Sequence, residues 1–301
     1  MVLALGRKRW RKVAAGCCLV LLGWLAGCTS GHRASGLPRA DIRSSGFTGS
    51  PVRVLQLNLC NSGIASCYTG RSVSVAGSVI REERPDIVTL NEICRDDVSQ
   101  LERAMSDAHP GATVDAAFKA APDRPTAAPF RCRNGQEYGI GVLAATSGAA
   151  EERTYGGSYP IQDVTDPEER VWLCVHVAGA FYACTTHTAN TSASIALDQC
   201  RYFLQTAAPA MRRDGGDDPV ILGADFNLFS GRSPGFLPCL PSGYQQADDG
   251  ARQHVVASSG VAMRSRVLID MQRSTDHPGL LVELALPPLL VSPPDRAAEK
   301  R

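Results

Sequence analysis

Apolar and polar positions alternate along several short stretches of the chain, which is the pattern of strands with one buried face. These stretches are residues 52–60, 86–94, 137–146, 170–177, 180–188, 219–227, 253–258, 266–272 and 280–286. Apolar residues instead recur every three or four positions in longer stretches, which predicts helices over residues 72–84, 97–108 and 194–211. Loops are predicted over residues 148–169 and 230–252. Strands outnumber helices, so we expect a layered α/β or α+β domain.

The N-terminal segment carries an export pattern rather than part of this fold. A basic stretch, GRKRWRK, precedes an apolar run that ends in small residues, which predicts a signal peptide over residues 1–27. The sequence LAGC at residues 25–28 resembles a bacterial lipobox, in which Cys28 is lipidated. Ordinary signal cleavage and an uncleaved anchor are the alternatives. We therefore expect an exported protein that is lipid-anchored on the outer face of the bacterial cell membrane.

Composition divides the remaining chain into three parts. Polar, glycine- and serine-rich residues predict a flexible tether over residues 28–50. The folded domain is predicted over residues 51–286, and a proline-rich, charged and disordered tail over residues 287–301.

The charge of the predicted mature chain disfavours a strongly basic nucleic-acid-binding protein. The first 27 residues carry five basic and no acidic side chains, so their removal leaves 26 basic against 30 acidic side chains and a formal net charge of −4. Only Lys119 and Lys300 remain as lysines. An arginine-lined groove is compatible with this balance.

Cysteine content agrees with export. An even number of cysteines in an exported protein predicts disulfides. The stretches 170–177 and 180–188 predict a hairpin, which would bring Cys174 near Cys184, and the other pairings stay open. The eight cysteines beyond Cys28 are Cys60, Cys67, Cys94, Cys132, Cys174, Cys184, Cys200 and Cys239.

Polar side chains end several predicted strands, where each one alone could be a cap or a turn residue. Their order is more informative, since it resembles the endonuclease/exonuclease/phosphatase superfamily of metal-dependent phosphoesterases over residues 52–286. The matching segments are LNL (57–59), LNE (90–92), TTHT (185–188), GADFN (223–227) and TDHPGLLVEL (275–284). The resemblance implies a four-layer sandwich of two packed mixed β-sheets flanked by helices.

The resemblance also implies a metal site. Mg²⁺ prefers hard oxygen ligands and takes one or two carboxylates in proteins, and Mn²⁺ is an alternative. Glu92 would be the main ligand, Asn58 would assist through its carbonyl oxygen, and Asp276 would supply a second carboxylate.

Four further residues receive catalytic roles from the same resemblance. Asp225 would orient or deprotonate the attacking water, and Asn227 would donate its amide to a phosphate oxygen. His277 would contact the phosphate or act as a base. His187 would hydrogen-bond the phosphate or protonate the leaving oxygen, since an imidazole can carry a proton near neutral pH. Phe226, between Asp225 and Asn227, would point into the core.

Two secondary candidates concern the substrate. Tyr138, or its neighbour Glu137, corresponds to residues that support the TTHT histidine in some nucleases. For Glu137 we favour the interpretation that it is only a charged surface residue. Arg170 matches a family arginine near the phosphate, and a surface charge is the alternative.

One position departs from the family pattern. Gln253 stands where the family has an aspartate that polarises the second histidine, so His277 would be less basic unless Asp248 or Asp249 replaces the missing acid.

These features favour a membrane-tethered, Mg²⁺-dependent phosphoesterase, which we expect to be a monomer. Its substrate would be nucleic acid, or a phospholipid or sphingomyelin head group, with phosphoinositides and sugar phosphates ranked third. The alternative is a non-catalytic binding lipoprotein on the same scaffold, which Gln253 favours.

Overall fold

The computed structural model describes residues 40–41, 51–146 and 152–287. The predicted signal peptide and Cys28 lie outside the described residues, as do residues 288–301 of the predicted tail. Of the predicted tether, only Ala40–Asp41 is described, and it forms a short strand. No helix in the described part of the chain is long and apolar enough to cross a membrane.

Thirteen strands are present in the described residues. They are β1 (Ala40–Asp41), β2 (Pro51–Asn58), β3 (Ile87–Cys94), β4 (Thr113–Ala120), β5 (Tyr138–Thr146), β6 (Glu152–Ser158), β7 (Val171–Val177), β8 (Phe181–His187), β9 (Val220–Asp225), β10 (Gln245–Asp248), β11 (Gln253–Ala257), β12 (Ala262–Ile269) and β13 (Gly279–Ala285). They form a seven-stranded sheet of order β1-β12-β13-β2-β3-β5-β4 and a six-stranded sheet of order β10-β11-β9-β8-β7-β6. Both sheets are mixed, because β2 runs parallel to β3 and β8 runs parallel to β9.

Helices cover the outer face of each sheet, which confirms the four-layer sandwich. Helices α1 (Ser72–Glu83) and α2 (Arg95–Ala108) pack on the seven-stranded sheet. Helices α3 (Ala193–Tyr202) and α4 (Ala208–Gly215) pack on the six-stranded sheet and are joined by a π-helical turn, Phe203–Ala207. The inner faces of the two sheets enclose a third apolar layer between them.

Local chemistry explains where these helices start and stop. The Asp97 carboxylate accepts a hydrogen bond from the backbone N–H of Cys94 at 2.7 Å, which caps the start of α2. Ser192 caps α3 by accepting from the N–H of Ile195. Helix α1 ends at Arg84, whose left-handed backbone turns the chain before Pro85.

Four strands were missed by the pattern analysis, and all four lie at sheet edges. Strand β1 lies inside the predicted tether, β6 lies inside the predicted loop 148–169, β10 lies inside the predicted loop 230–252, and β4 falls in an unassigned stretch. An edge strand pairs on one side only and tends to carry polar or small residues, so it lacks a regular apolar alternation. The loop assignments were therefore wrong for β6 and β10.

All eight cysteines that were expected to form disulfides do so. The prediction for Cys174 and Cys184 is confirmed, because these residues stand directly opposite each other on β7 and β8. The remaining pairs are Cys60–Cys67, Cys94–Cys132 and Cys200–Cys239. Cys60 and Cys94 each follow a predicted metal ligand by two residues, so two of the disulfides hold the segments that leave these ligands.

A buried polar network joins the two sheets beneath the strand ends. The Asn91 side chain on β3 accepts hydrogen bonds from the Gln56 amide and the Asp225 backbone N–H, both at 2.8 Å. Its amide group donates to the carbonyl of Thr186 at 2.9 Å. Asn91 is fully buried and therefore satisfies backbone groups of β8 and β9 that no water reaches.

We expect Asn91→Ala to destabilise the protein by about 2 kcal/mol or more, because it leaves several buried polar groups without partners. Urea unfolding with the disulfides intact measures this change. Asn134→Ala is the matched control, since Asn134 is exposed, and we expect it to change stability by less than about 0.5 kcal/mol. A loss below about 1 kcal/mol for Asn91→Ala would contradict the role of this network.

Candidate active site

Strand ends from both sheets meet at one place and bring four of the predicted residues together. Asn58 ends β2, and Glu92 lies near the end of the parallel strand β3. In the other sheet, His187 ends β8 and stands opposite Asp225 at the end of β9. Because parallel neighbours end on the same side, each sheet presents its polar residues at this common edge.

The Asn58 side chain connects two carboxylates. Its amide nitrogen donates to Glu92 Oε1 at 2.9 Å and to Asp225 Oδ2 at 3.0 Å. Its carbonyl oxygen accepts from the backbone N–H of Cys60 at 3.1 Å. That oxygen has a second lone pair, so the expected contact of Asn58 with a metal ion stays a prediction.

Glu92 occupies a strained position in an irregular part of β3. Its φ is +56°, which is uncommon for a residue with a side chain, and the pairing of β3 with β5 shifts between Leu90 and Ile93. Burial raises the pKa of the Glu92 carboxyl, against the hydrogen bond from Asn58, and the charge of Asp225 raises it further. A cation beside Glu92 would offset both effects.

The donor set at this edge fits a hard divalent cation. Glu92 Oε2 accepts no hydrogen bond from the described residues and is free to act as a ligand. Asp276, the second predicted carboxylate, is 57 % exposed, and its Oδ1 lies 3.9 Å from His277 Nε2. The sulfur atoms of Cys60 and Cys67 also lie within 4.8 Å of Asp276, but their disulfide excludes thiolate ligation.

The His187 imidazole is held in one tautomer by Arg170. Arg170 Nη1 lies 2.9 Å from His187 Nδ1, and a guanidinium can only donate, so Nδ1 carries no proton. The proton then resides on Nε2, which lies 3.9 Å from Glu92 Oε1. Burial and the charge of Arg170 lower the pKa of His187 to about 3. The predicted option that His187 carries an extra proton near neutral pH is therefore corrected.

Arg170 is itself clamped by two acids. Its guanidinium lies 2.8 Å from Asp166 Oδ2 and 3.1 Å from Glu168 Oε1, and the residue is buried. Burial raises the pKa of Glu168 to about 7, which the charge of Arg170 opposes. Arg170 thus joins these acids to His187, and it also lines the cavity beside the site.

A cavity of about 300 Å³ opens beside Glu92 and His187. Tyr138 lines it, and burial raises the pKa of the phenol. Glu137 instead lies at the surface side of β5 and accepts from Arg95 at 2.7 Å. Of the two neighbours, Tyr138 therefore belongs to the site and Glu137 does not.

Asp225 and His277 form a close pair on the other side of the site. His277 Nε2 lies 3.4 Å from Asp225 Oδ2, and Asp225 is buried. Burial would raise the pKa of Asp225, but His187, His277 and the hydrogen bonds from Asn227 and Asn58 outweigh it and lower that pKa. Asp225 is accordingly an ionised carboxylate at neutral pH.

Asn227 follows Asp225 at the rim of the site. Its φ is +51°, its backbone N–H donates to Asp225 Oδ1 at 2.9 Å, and its amide nitrogen donates to the carbonyl of Thr188 at 2.9 Å. The second hydrogen of that amide is available to a ligand. Phe226 is fully buried in the core, as the alternation predicted.

Gln253 lies beside the segment that carries His277 and hydrogen-bonds its backbone. Its Oε1 accepts from the Asn58 backbone N–H at 3.2 Å, and its Nε2 donates to the carbonyl of Pro278 at 2.7 Å. An aspartate could not donate to Pro278, so glutamine holds the segment that carries His277 by its backbone. The expected effect of Gln253 on the His277 imidazole stays a prediction.

Neither neighbouring acid replaces the missing aspartate. Asp248 pairs with Arg266 at 3.0 Å, and Asp249 accepts from the backbone N–H of Gln253 at 3.1 Å. In this structure His277 Nε2 lies 3.4 Å from Asp225 Oδ2 and 3.9 Å from Asp276 Oδ1.

Several site residues were missed by the sequence analysis. Asn91 stands directly before Glu92 in the quoted segment LNE, so its position could have drawn attention to it. Asp166 and Glu168 lie in an irregular loop between β6 and β7, where acidic residues carry no periodic signal. Gln56, one strand position before the apolar Leu57, gave no signal either.

The comparisons with known proteins identify the family. The model of the Endonuclease/Exonuclease/phosphatase family matches residues 70–277, which is more than half of the chain. The protein belongs to this family. A search of curated proteins returned no match.

Solved structures of family members share the fold. A family member from Bacteroides thetaiotaomicron superposes with a TM-score of 0.60 at 14 % identity, over 80 % of this chain and 96 % of that one. A mannosyl-6-phosphatase from the same organism gives 0.58 at 14 % identity, over 78 % and 100 %. The human nocturnin catalytic domain with bound sulfate gives 0.57 at 15 % identity, over 85 % and 99 %.

The low pKa of His187 affects how the free energy of unfolding depends on pH. Its unfolded imidazole binds a proton below the ordinary pKa of 6.5, whereas the folded one stays neutral down to about 3. Within that window the unfolded state binds more protons, so the contribution of His187 to stability falls as the pH falls. In EDTA between pH 6 and 4, we expect His187→Gln to lose stability less steeply than wild type, by up to about 1.4 kcal/mol per pH unit.

Urea unfolding at several pH values measures this difference, and glutamine retains an acceptor for Arg170. Long-range nitrogen NMR spectra of the wild-type imidazole provide an independent check of the tautomer. Equal pH slopes in the two proteins, or a proton on Nδ1, would contradict the assignment.

Proposed function

We propose that this protein is a divalent-metal-dependent phosphoesterase, with Mg²⁺ as the physiological ion and Mn²⁺ as a substitute. The observation that carries the proposal is the junction at Asn58, whose single amide joins Glu92 and Asp225. His187 lies beside Glu92, and His277 lies beside Asp225. A site with acids, neutral donors and an open cavity suits the hydrolysis of a phosphate ester.

Glu92 and Asp276 would hold the metal ion, which when bound supplies positive charge to the phosphoryl oxygens. Two carboxylates with the remaining positions left to water and substrate are the usual provision for Mg²⁺. Asn58 positions the Glu92 and Asp225 carboxylates relative to each other, since its amide nitrogen donates to both.

The protonation states and hydrogen-bond donors of the remaining side chains suit them to separate roles. Asp225 is ionised and buried, so it can orient a water molecule and accept its proton. His187 presents Nε2–H as a neutral donor and can hydrogen-bond a phosphoryl oxygen without transferring the proton. Asn227 can donate its second amide hydrogen to another phosphate oxygen, and His277, 3.4 Å from Asp225, can contact the phosphate from that side.

The cavity supports a substrate that places a compact group next to the phosphate. It holds about 300 Å³ and is lined by polar groups as well as by Phe130 and Ile64. A nucleotide unit or a phospholipid or sphingomyelin head group suits this space, and the similarity of fold to a mannosyl-6-phosphatase keeps sugar phosphates in the panel.

We further propose that the protein is exported, lipid-anchored through Cys28 on the outer face of the bacterial membrane, and monomeric. Four disulfides support export, because such bonds persist in oxidising compartments. The non-catalytic alternative rests on Gln253, whose amide donates to the carbonyl of Pro278 and holds the segment that carries His277.

We expect Glu92→Gln and Asp225→Asn each to reduce kcat by at least about 100-fold on any substrate that the wild type hydrolyses. The assay uses purified protein with a panel of phosphodiesters and phosphomonoesters, with Mg²⁺, Mn²⁺ or EDTA. Glu137→Gln is the matched control, because Glu137 pairs with Arg95 away from the site, and it should stay within about twofold of wild type. Equal rates in all four proteins would sink the assignment.

A further inference from the structure

A basic cluster adjoins the site just beyond Asn227. Phe229 is half-buried in the segment that follows β9. The guanidinium carbon of Arg232 lies 4.1 Å from the centre of its ring, and that of Arg252 lies 5.0 Å from it. One aromatic ring therefore holds two arginines that are 20 residues apart in the sequence.

The charges of this cluster are not neutralised by acids. Among the described residues, no carboxylate oxygen lies within 4.0 Å of the guanidinium of Arg232 or Arg252. The two acids nearest in sequence to Arg252 have other partners. Asp248 pairs with Arg266 and accepts from Ser230, and Asp249 accepts backbone and side-chain hydrogens of Gln253.

Arg252 connects the cluster directly to the site. Its Nη1 donates to Asn227 Oδ1 at 3.1 Å. The same Asn227 is bound through its backbone to Asp225, so the cluster lies one residue away from the group assigned to the attacking water. An anion held here would be a close neighbour of the phosphate being cleaved.

Electrostatics favours an anion at this position. Two guanidinium groups against one ring repel each other, and a bound anion would replace that repulsion with two attractions. Guanidinium also matches phosphate oxygens with paired donors, which a lysine cannot do. In a predicted mature chain with an acidic balance, an unneutralised pair of arginines beside the catalytic edge is a local exception.

We propose that Arg232, Phe229 and Arg252 form a subsite for a second phosphate group of the substrate. This inference rests on the proposed phosphoesterase function and narrows its substrate to molecules with two phosphates a short distance apart. Such phosphates occur in a polynucleotide or nucleoside bisphosphate, and also in a sugar bisphosphate.

Equilibrium binding tests the subsite without requiring turnover. Calorimetric titrations in EDTA compare a nucleoside 3′,5′-bisphosphate with its 5′-monophosphate, and a sugar bisphosphate with its monophosphate. In wild type we expect the bisphosphate of at least one pair to bind about tenfold more tightly, and the pair that shows this identifies the source. Arg232→Gln and the double variant with Arg252→Gln should reduce the advantage to less than about threefold.

Arg103→Gln is the matched control, since Arg103 is an exposed arginine on α2, and it should keep the full advantage. Arg232 is exposed, so its replacement tests the subsite without removing a buried group. No advantage for either bisphosphate in wild type, or an unchanged advantage in the double variant, would overturn the subsite.

Turnover with Mg²⁺ separates this inference from the function on which it rests. Hydrolysis of phosphate esters without any bisphosphate preference would reject the subsite alone. Tight binding of the bisphosphate with no hydrolysis of any substrate would support the anion subsite and reject the catalytic proposal.

Discussion

Two acids of like charge, Glu92 and Asp225, accept hydrogens from the same amide group of Asn58, and the rest of the site depends on this junction. Burial and mutual repulsion both disfavour the ionised pair, as the raised pKa of Glu92 reflects. Asp225 keeps its charge because donors surround it. A cation beside Glu92 would stabilise its ionised carboxylate against burial and the charge of Asp225. This is the physical reason that the site fits a metal ion.

The junction is rigid because its supports come from both sheets. Asn91 holds β3 against β8 and β9, and Gln253 holds β11 against Asn58 and the backbone at Pro278. Each support is a buried amide, which can donate and accept at once, whereas a carboxylate can only accept when ionised. That difference explains why glutamine suits position 253.

The two histidines of the site are placed in opposite electrostatic settings. His187 faces the guanidinium of Arg170, which removes any gain from a second proton and keeps the imidazole neutral. His277 faces the carboxylate of Asp225. The His187 imidazole is thereby a fixed neutral donor, whereas the His277 imidazole is paired with an acid. Both histidines lie in short segments that match the family pattern.

The sequence by itself determined the central strands, the helices and the residues at the strand ends. Apolar alternation and helical periodicity are local properties of the sequence. The order of the family segments from Asn58 to His277 can also be read without knowing the fold. Cys174 and Cys184 could also be paired, because a short hairpin sets their separation. Edge strands such as β6 and β10 were not visible, since a strand with one neighbour needs no apolar alternation.

Only the tertiary structure decided how these residues act on each other. Asn58 and Gln253 are 195 residues apart, and Arg170 meets His187 across a hairpin, so no sequence period relates them. The tautomer of His187, the orientation of the Asn58 amide and the partner of Gln253 follow from which donor faces which acceptor. Those contacts are set by packing one sheet against the other, and a hydrogen bond depends on distances of a few tenths of an ångström that no residue order encodes.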